Sequence, residues 1–133
     1  LREIMERGRN VAAADYIEAA SGRAAIGERM QAFFRDYDLL LTPGQPLPAF
    51  KAGVEFPDGF GFERWHEWTP FTYPFNLTQQ PAANAPCGFT SEGLPAGLQI
   101  VGPLFADAFV LRAAKAYENI HPFKMPHAPI SGS

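Results

Sequence analysis

Two short apolar runs separated by a polar turn constrain the fold more than any other part of this sequence. The runs are Ala82–Phe89 and Ala96–Val101, and residues 90–93 join them. Short apolar runs that are bounded by Gly and Pro and joined by a polar turn predict two neighbouring antiparallel strands. Pro86 has no backbone N–H, so we expect it at a sheet edge, at a bulge or at a strand end.

A third strand is predicted upstream of this pair. The run Leu39–Leu41 is continuously apolar and is stopped by Pro43 and Gly44. A short run of this kind fits a central strand that is buried on both faces. The sequence therefore predicts three strands that lie in one sheet.

Helical periodicity predicts several helices around these strands. We expect a short helix over 1–9, two helices over about 11–20 and 22–36 with a break at Ser21-Gly22, and a last helix over about 107–120. A further short helix is expected to open at Thr69-Pro70 and to end before Pro81, because Pro is favoured in the first turn of a helix.

An irregular, aromatic-rich loop is predicted over 43–68. Prolines at 43, 46 and 48 prevent regular structure, and half of the chain's aromatic residues lie between Phe50 and Phe75. Such a density of aromatic side chains needs a partner surface. The loop either lines an apolar pocket or packs against the protein's own body, and the sequence leaves both interpretations open.

Composition narrows the classes of function and location. A chain of 133 residues forms at most one domain, which we define as residues 1–133, with a frayed tail over 124–133. The net charge of −3 gives no basic surface for nucleic acid. The single cysteine forms no internal disulfide, which favours the cytoplasm. No apolar run has the length of a membrane span, and the absence of an initiator Met suggests a piece of a longer protein.

The residues that most often carry chemistry are better interpreted as structural. Cys87 has no cation or helix start beside it in the sequence, so we predict a small buried apolar residue. Glu63, His66 and Glu67 lack the spacing of a zinc helix and are expected at the surface. No phosphate loop or dinucleotide motif is present. We therefore predict no metal site and no cofactor.

One ordered pattern extends over most of the chain. The matching positions are Asn76, Leu77, Thr78, Pro81, Ala82, Pro86, Gly88, Gly93, Leu94, Pro95, Gly97, Leu98, Gln99 and Gly102, followed by Ala116-Tyr117-Glu118, with a weaker match over Asp38–Pro43. This pattern resembles the C-terminal part of the amidase signature family. Gln79 differs from the family, which usually has glycine at that position.

The resemblance implies a fold and a reaction. The implied fold is α/β, the C-terminal portion of an amidase-type α/β/α sandwich with a mixed sheet. The family hydrolyses carbon–nitrogen bonds of amides with a Ser–Ser–Lys arrangement that lies in a Gly/Ser-rich segment, and no stretch of this chain matches that segment. We therefore expect no catalytic residue here, and an isolated chain that is inactive.

The resemblance also implies a role in substrate binding. The segment before the Asn76 motif lies along the substrate pocket in the family, which points to Trp68, Phe71, Thr72 and Asn76 as binding residues for a small-molecule amide. The glutamine-using amidotransferases of the family usually carry an acidic residue where this chain has Thr69. Together with the aromatic loop, this favours an apolar or aryl amide over glutamine.

Two other functions remain open from the sequence. The chain is either a non-catalytic binding module whose aromatic loop holds an apolar ligand, or the non-catalytic half of a split amidotransferase. In each case we expect no nucleic-acid or membrane partner. We also expect self-association, because an incomplete domain exposes a sheet face and a sheet edge.

Overall fold

The structure, a computed structural model, describes residues 2–124. Helices and one sheet occur together in this range, which is the α/β fold class that the sequence predicts. The elements in chain order are α1 (Arg2–Gly8), α2 (Ala13–Asp36), β1 (Leu40–Pro43), a 3-10 helix (Trp65–Trp68), α3 (Tyr73–Thr78), β2 (Ala82–Phe89), β3 (Pro95–Val101) and α4 (Asp107–Ile120).

The three strands form one antiparallel sheet in the order β1-β3-β2. Val101 of β3 pairs with Leu40 on one side and with Ala82 on the other. The common sheet and the β2–β3 hairpin confirm the prediction. Both pairings are antiparallel, so the described residues contain no parallel pair of the mixed sheet that the resemblance implies.

The prediction of a central strand at Leu39–Leu41 was wrong. β1 is an edge strand of the described sheet, and the Leu41 side chain is 57% exposed. A continuous apolar run was interpreted as burial on both faces. In the part of the chain that the structure describes, Leu41 instead lines an open groove.

Strand β2 is irregular where it carries proline. The pairing register shifts between Pro86 and Gly88, which is a bulge on an edge strand and confirms the expectation for Pro86. Cys87 lies inside this irregularity and is exposed. The prediction of a buried cysteine was therefore wrong, because the bulge turns this position out of the sheet's packed side.

Helix α2 is continuous across Ser21-Gly22, so the predicted break is wrong. A single helical glycine costs only about 1 kcal/mol relative to alanine, and the alanine-rich sequence on both sides offsets that cost. Beyond this point α2 is tied to α3, because Arg23 Nε donates a hydrogen bond of 2.6 Å to the Leu77 carbonyl. No residue of α2 is fully buried.

The last two helices differ in how well they were predicted. α4 has the predicted bounds, and its Val110 is buried against the sheet next to Gly102, where a β-carbon would lie 2.5 Å from Val110 Cγ2. α3 begins at Tyr73 and not at Pro70, because Thr69 and Thr72 form a turn first. Pro74, not Pro70, occupies its first turn.

The apolar core of the described residues is small. Its buried members are Phe75, Ala85, Ile100, Val101 and Val110. Large apolar side chains on α2 and α4 remain exposed. Among residues 2–124, no helix combines the length and the apolar character that crossing a membrane would need. The predicted frayed tail, apart from its first residue, lies outside the described residues.

Candidate functional site

An open groove of about 930 Å³ lies on one side of the sheet. The end of β1 and the segment that follows it form one wall, and the β2–β3 hairpin forms the other. The lining residues are 41–50, Trp68, Asn84, Cys87, Thr90 and 95–98. A cavity of this volume is in the range that holds a drug-sized molecule.

The groove lining contains no charged residue. None of its described members is Asp, Glu, Lys, Arg or His, and most are apolar, with proline at 43, 46, 48 and 95. Its side-chain polar groups come from Thr42, Gln45, Asn84, Cys87, Thr90 and the indole N–H of Trp68. Burying an unpaired charge in such surroundings is costly. The groove is therefore suited to a neutral molecule with a large apolar part.

Two aromatic rings form the side of the groove that belongs to the long loop. The rings of Phe50 and Trp68 pack edge to face, with 5.3 Å between their centroids. Trp68 Nε1 donates a hydrogen bond of 3.2 Å to the Glu55 carbonyl, and the Glu55 carboxylate accepts hydrogen bonds from Trp65 N and Arg64 Nε. The loop thus packs on itself and also lines the groove.

A buried glutamine links the middle strand of the sheet to β1 and to the segment before α3. Gln99 on β3 is 7% exposed, and its Nε2 donates to Thr42 Oγ1 at 2.8 Å and to the Phe71 carbonyl at 2.9 Å. Its two donors link β3 to β1 and to the turn before α3. Sequence reasoning missed this role, although a polar residue between Leu98 and Ile100 was a visible signal.

Thr42, Gln99 and Asn84 form a polar row across the three strands. Thr42 pairs with Gln99 on one side, and Asn84 pairs with Gln99 on the other. Residues paired across antiparallel strands present their side chains on the same face. This row therefore runs along the groove side of the sheet, with Gln99 buried and Asn84 exposed.

The four residues predicted to bind substrate are not all in the groove. Trp68 lines it. Phe71 and Thr72 are half-buried beside it, where the Phe71 carbonyl accepts the Gln99 hydrogen bond and the Thr72 hydroxyl donates to the Thr69 carbonyl at 3.0 Å. Asn76 lies exposed on α3. The structure thus brings Trp68 to the groove, and the other three are not among the residues that line it.

The described residues show no metal-binding cluster. No three His, Cys, Asp or Glu side chains come together in this part of the chain in a way that could hold a metal ion. Glu63, His66 and Glu67 are exposed, and the Glu67 carboxylate accepts a hydrogen bond from the Glu63 backbone at 2.7 Å. The described lining of the groove also contains no serine and no lysine.

The chain thus combines an α/β fold with an uncharged groove beside an antiparallel hairpin. The model of the Amidase family matches residues 1–111, and the chain belongs to this family. This confirms the resemblance that the motif over residues 76–102 indicates.

Curated relatives share the sequence over most of this chain. A glutamyl-tRNA(Gln) amidotransferase subunit of Myxococcus xanthus is 41% identical over 117 residues, which are 88% of this chain and 24% of that protein. The same subunit of Halothermothrix orenii is 40% identical over 104 residues, which are 78% of this chain and 21% of that protein. The chain thus spans less than a quarter of the length of these relatives.

Solved structures share the fold. A bacterial aryl acylamidase of the amidase signature family superimposes with a TM-score of 0.78 at 27% identity, over 92% of this chain and 26% of that one. The glutamyl-tRNA(Gln) amidotransferase subunit of Thermotoga maritima superimposes with a TM-score of 0.71 at 32% identity, over 93% of this chain and 27% of that one.

Proposed function

We propose that this chain forms one wall of the substrate groove in an amide-hydrolysing enzyme of the Amidase family. The observation that most supports this is the groove itself, which is uncharged, about 930 Å³ in volume and walled by the Phe50–Trp68 pair. An apolar wall with a few polar groups is the usual composition of a small-molecule site. Trp68 is the residue on which both the sequence and the geometry agree.

We infer that the preferred substrate is a neutral amide with an aryl or other apolar part. A free amino acid such as glutamine carries an ammonium and a carboxylate, and each would need a partner of opposite charge when desolvated. Thr69 stands where the resemblance leads us to expect an acidic residue in the glutamine-using amidotransferases. Its hydroxyl donates to the His66 carbonyl at 2.9 Å, so this side chain is used within the turn.

The attacking group, in this proposal, comes from outside these residues. The described groove lining offers no serine–lysine pair, and the chain has no segment that resembles the family's catalytic one. The relatives are several times longer, which supports a role within a longer protein or beside a partner chain. Phe71, Thr72 and Asn76 remain proposed binding residues whose contacts would form in that larger assembly.

The test uses the chain's single cysteine as a reporter of the groove. Cys87 is exposed and lines the groove, so a bound molecule should slow its alkylation by iodoacetamide. We expect saturable protection by acetanilide and none by L-glutamine. We also expect no hydrolysis of acetanilide by the isolated chain.

The same experiment separates the alternatives. Protection by L-glutamine and not by acetanilide would contradict the proposed substrate and favour an amidotransferase half, a role that the relatives' names support. Acetanilide hydrolysis by the chain alone would contradict the external origin of the attacking group. A Trp68→Ala variant should lose most of the protection, whereas the surface variant Trp65→Ala should keep it.

A further inference from the structure

The side chain of Asn84 lies in a recess that two glycines create. A β-carbon added at Gly97 would lie 2.6 Å from Asn84 Nδ2, and one added at Gly44 would lie 2.5 Å from Asn84 Oδ1. Contacts this short would force the Asn84 side chain to move, so the absence of side chains at both positions lets its carboxamide lie over β3 toward the end of β1. The recess is therefore built from three parts of the sheet.

The two glycines are held together by the backbone. Gly44 N donates a hydrogen bond of 2.8 Å to the Gly97 carbonyl, which continues the β1–β3 pairing past the end of β1. Neither glycine has a positive φ. Their small size, and not their backbone freedom, is what this site uses.

The carboxamide of Asn84 is available to a ligand. Among the hydrogen bonds of the described residues, none uses this side chain, and the residue is exposed on the groove. Gln99, its neighbour in the polar row, differs because its amide group donates hydrogen bonds to Thr42 Oγ1 and to the Phe71 carbonyl. The row therefore holds one carboxamide that supports the sheet and one that faces the groove.

We propose that Asn84 determines specificity in this groove by hydrogen-bonding the amide of the bound molecule. A carboxamide offers a donor and an acceptor without charge, so it can donate to the carbonyl of a neutral amide or accept from its N–H. The apolar walls then take the rest of the molecule. This inference rests on the proposed function, because it takes the groove to be the amide site.

The test compares two probes that differ in hydrogen bonding. Acetanilide has an aryl ring and an amide, and ethylbenzene has only the ring. In the Cys87 alkylation assay, Asn84→Ala should weaken protection by acetanilide about fivefold, the effect of one net hydrogen bond. Protection by ethylbenzene should not change. Asn119→Ala, on the exposed face of α4, is the matched control.

A second variant tests the recess itself. Gly97→Ala keeps Asn84 but places a methyl group where its carboxamide lies, so acetanilide protection should fall by a similar factor. The double variant Asn84→Ala/Gly97→Ala should bind acetanilide no more weakly than Gly97→Ala alone. Gly27→Ala, which has open space around it, is the control for the added methyl group. Urea unfolding of each variant tests whether the fold is retained.

The outcomes separate this inference from the proposed function. Equal acetanilide protection in the wild-type chain and in Asn84→Ala would overturn the role of Asn84 and leave the groove as a binding site. No protection by either probe in the wild-type chain would overturn both. A loss of ethylbenzene protection in Asn84→Ala would show that the variant disturbs the groove, and would also contradict the proposed hydrogen bond.

Discussion

At the scale of single residues, the buried polar side chains were hardest to predict. The sequence places Gln99 in a strand, but its partners Thr42 and Phe71 lie 57 and 28 residues away along the chain. Periodicity shows which face a residue occupies and does not show which distant groups meet it there. The hydrogen bonds from Gln99 to Thr42 and Phe71 could therefore be recognised only in the three-dimensional structure.

Gln99→Leu should lower the stability of the chain. The substitution leaves the half-buried Phe71 carbonyl without its donor, and an unpaired buried polar group costs about 1–3 kcal/mol. We expect a decrease of that size in the free energy of unfolding, measured by urea denaturation. Gln45→Leu, at an exposed position, should change it by no more than about 0.5 kcal/mol. A midpoint for Gln99→Leu equal to that of the wild-type chain would contradict the structural role of this side chain.

The backbone at Gln79 shows why glycine is usual at this position of the family pattern. Gln79 ends α3 with φ 63 and ψ 26, in the left-handed region. A non-glycine residue there costs on the order of 1 kcal/mol or more. The sequence showed that glutamine replaces glycine at position 79. Only the structure shows that this residue has a positive φ at the end of α3.

At the scale of elements, the existence of helices and strands was predicted better than their limits. The hairpin, the bulge at Pro86 and α4 follow from local patterns. The break in α2 and the start of α3 were wrong, because a glycine or proline signal competes with the residues around it. The exposure of Cys87 was missed for a related reason, since burial in an edge strand depends on neighbours that are distant in sequence.

Gly22→Ala should stabilise the chain if α2 is continuous. Alanine loses less backbone entropy than glycine in a helix, a gain of about 0.5–1 kcal/mol. A β-carbon at Gly22 meets nothing within 4 Å, so no clash offsets the gain. The measurement is the free energy of unfolding in urea followed by circular dichroism.

Gly93→Ala provides the opposite control. Gly93 has φ +79 in the turn between β2 and β3, where alanine is strained, so this variant should be destabilised. A destabilised Gly22→Ala would indicate that the helix is interrupted at this position, as the Ser21-Gly22 pair suggested.

At the scale of the whole molecule, this chain exposes more surface than a compact protein of its mass. Its accessible surface is 10310 Å², whereas a compact monomer of this mass is expected to expose about 6,900 Å². Exposed apolar side chains such as Tyr16 and Ile17 on α2 contribute to the difference. The sequence predicted the family and the sheet, but the scarcity of buried residues follows from the three-dimensional packing.

We expect the purified chain to self-associate as its concentration rises. Exposed apolar surface of this extent favours contact between copies, and sedimentation velocity would show an increase in weight-average mass. Ile17→Glu, on an exposed part of α2, should reduce the association, whereas Asn119→Glu should not. A monomer at every concentration would contradict the expectation that these surfaces need a covering partner.

The strand order has a consequence for the timing of folding. β1 is synthesised before its partner β3, which lies beyond the aromatic loop, with Leu40 paired to Val101. The β2–β3 hairpin closes through local contacts, whereas β1 can dock only after that hairpin has left the ribosome. Since distant pairings form more slowly than local ones, β1 is the strand whose docking completes the described sheet, and the groove acquires the wall that β1 forms only at this late step.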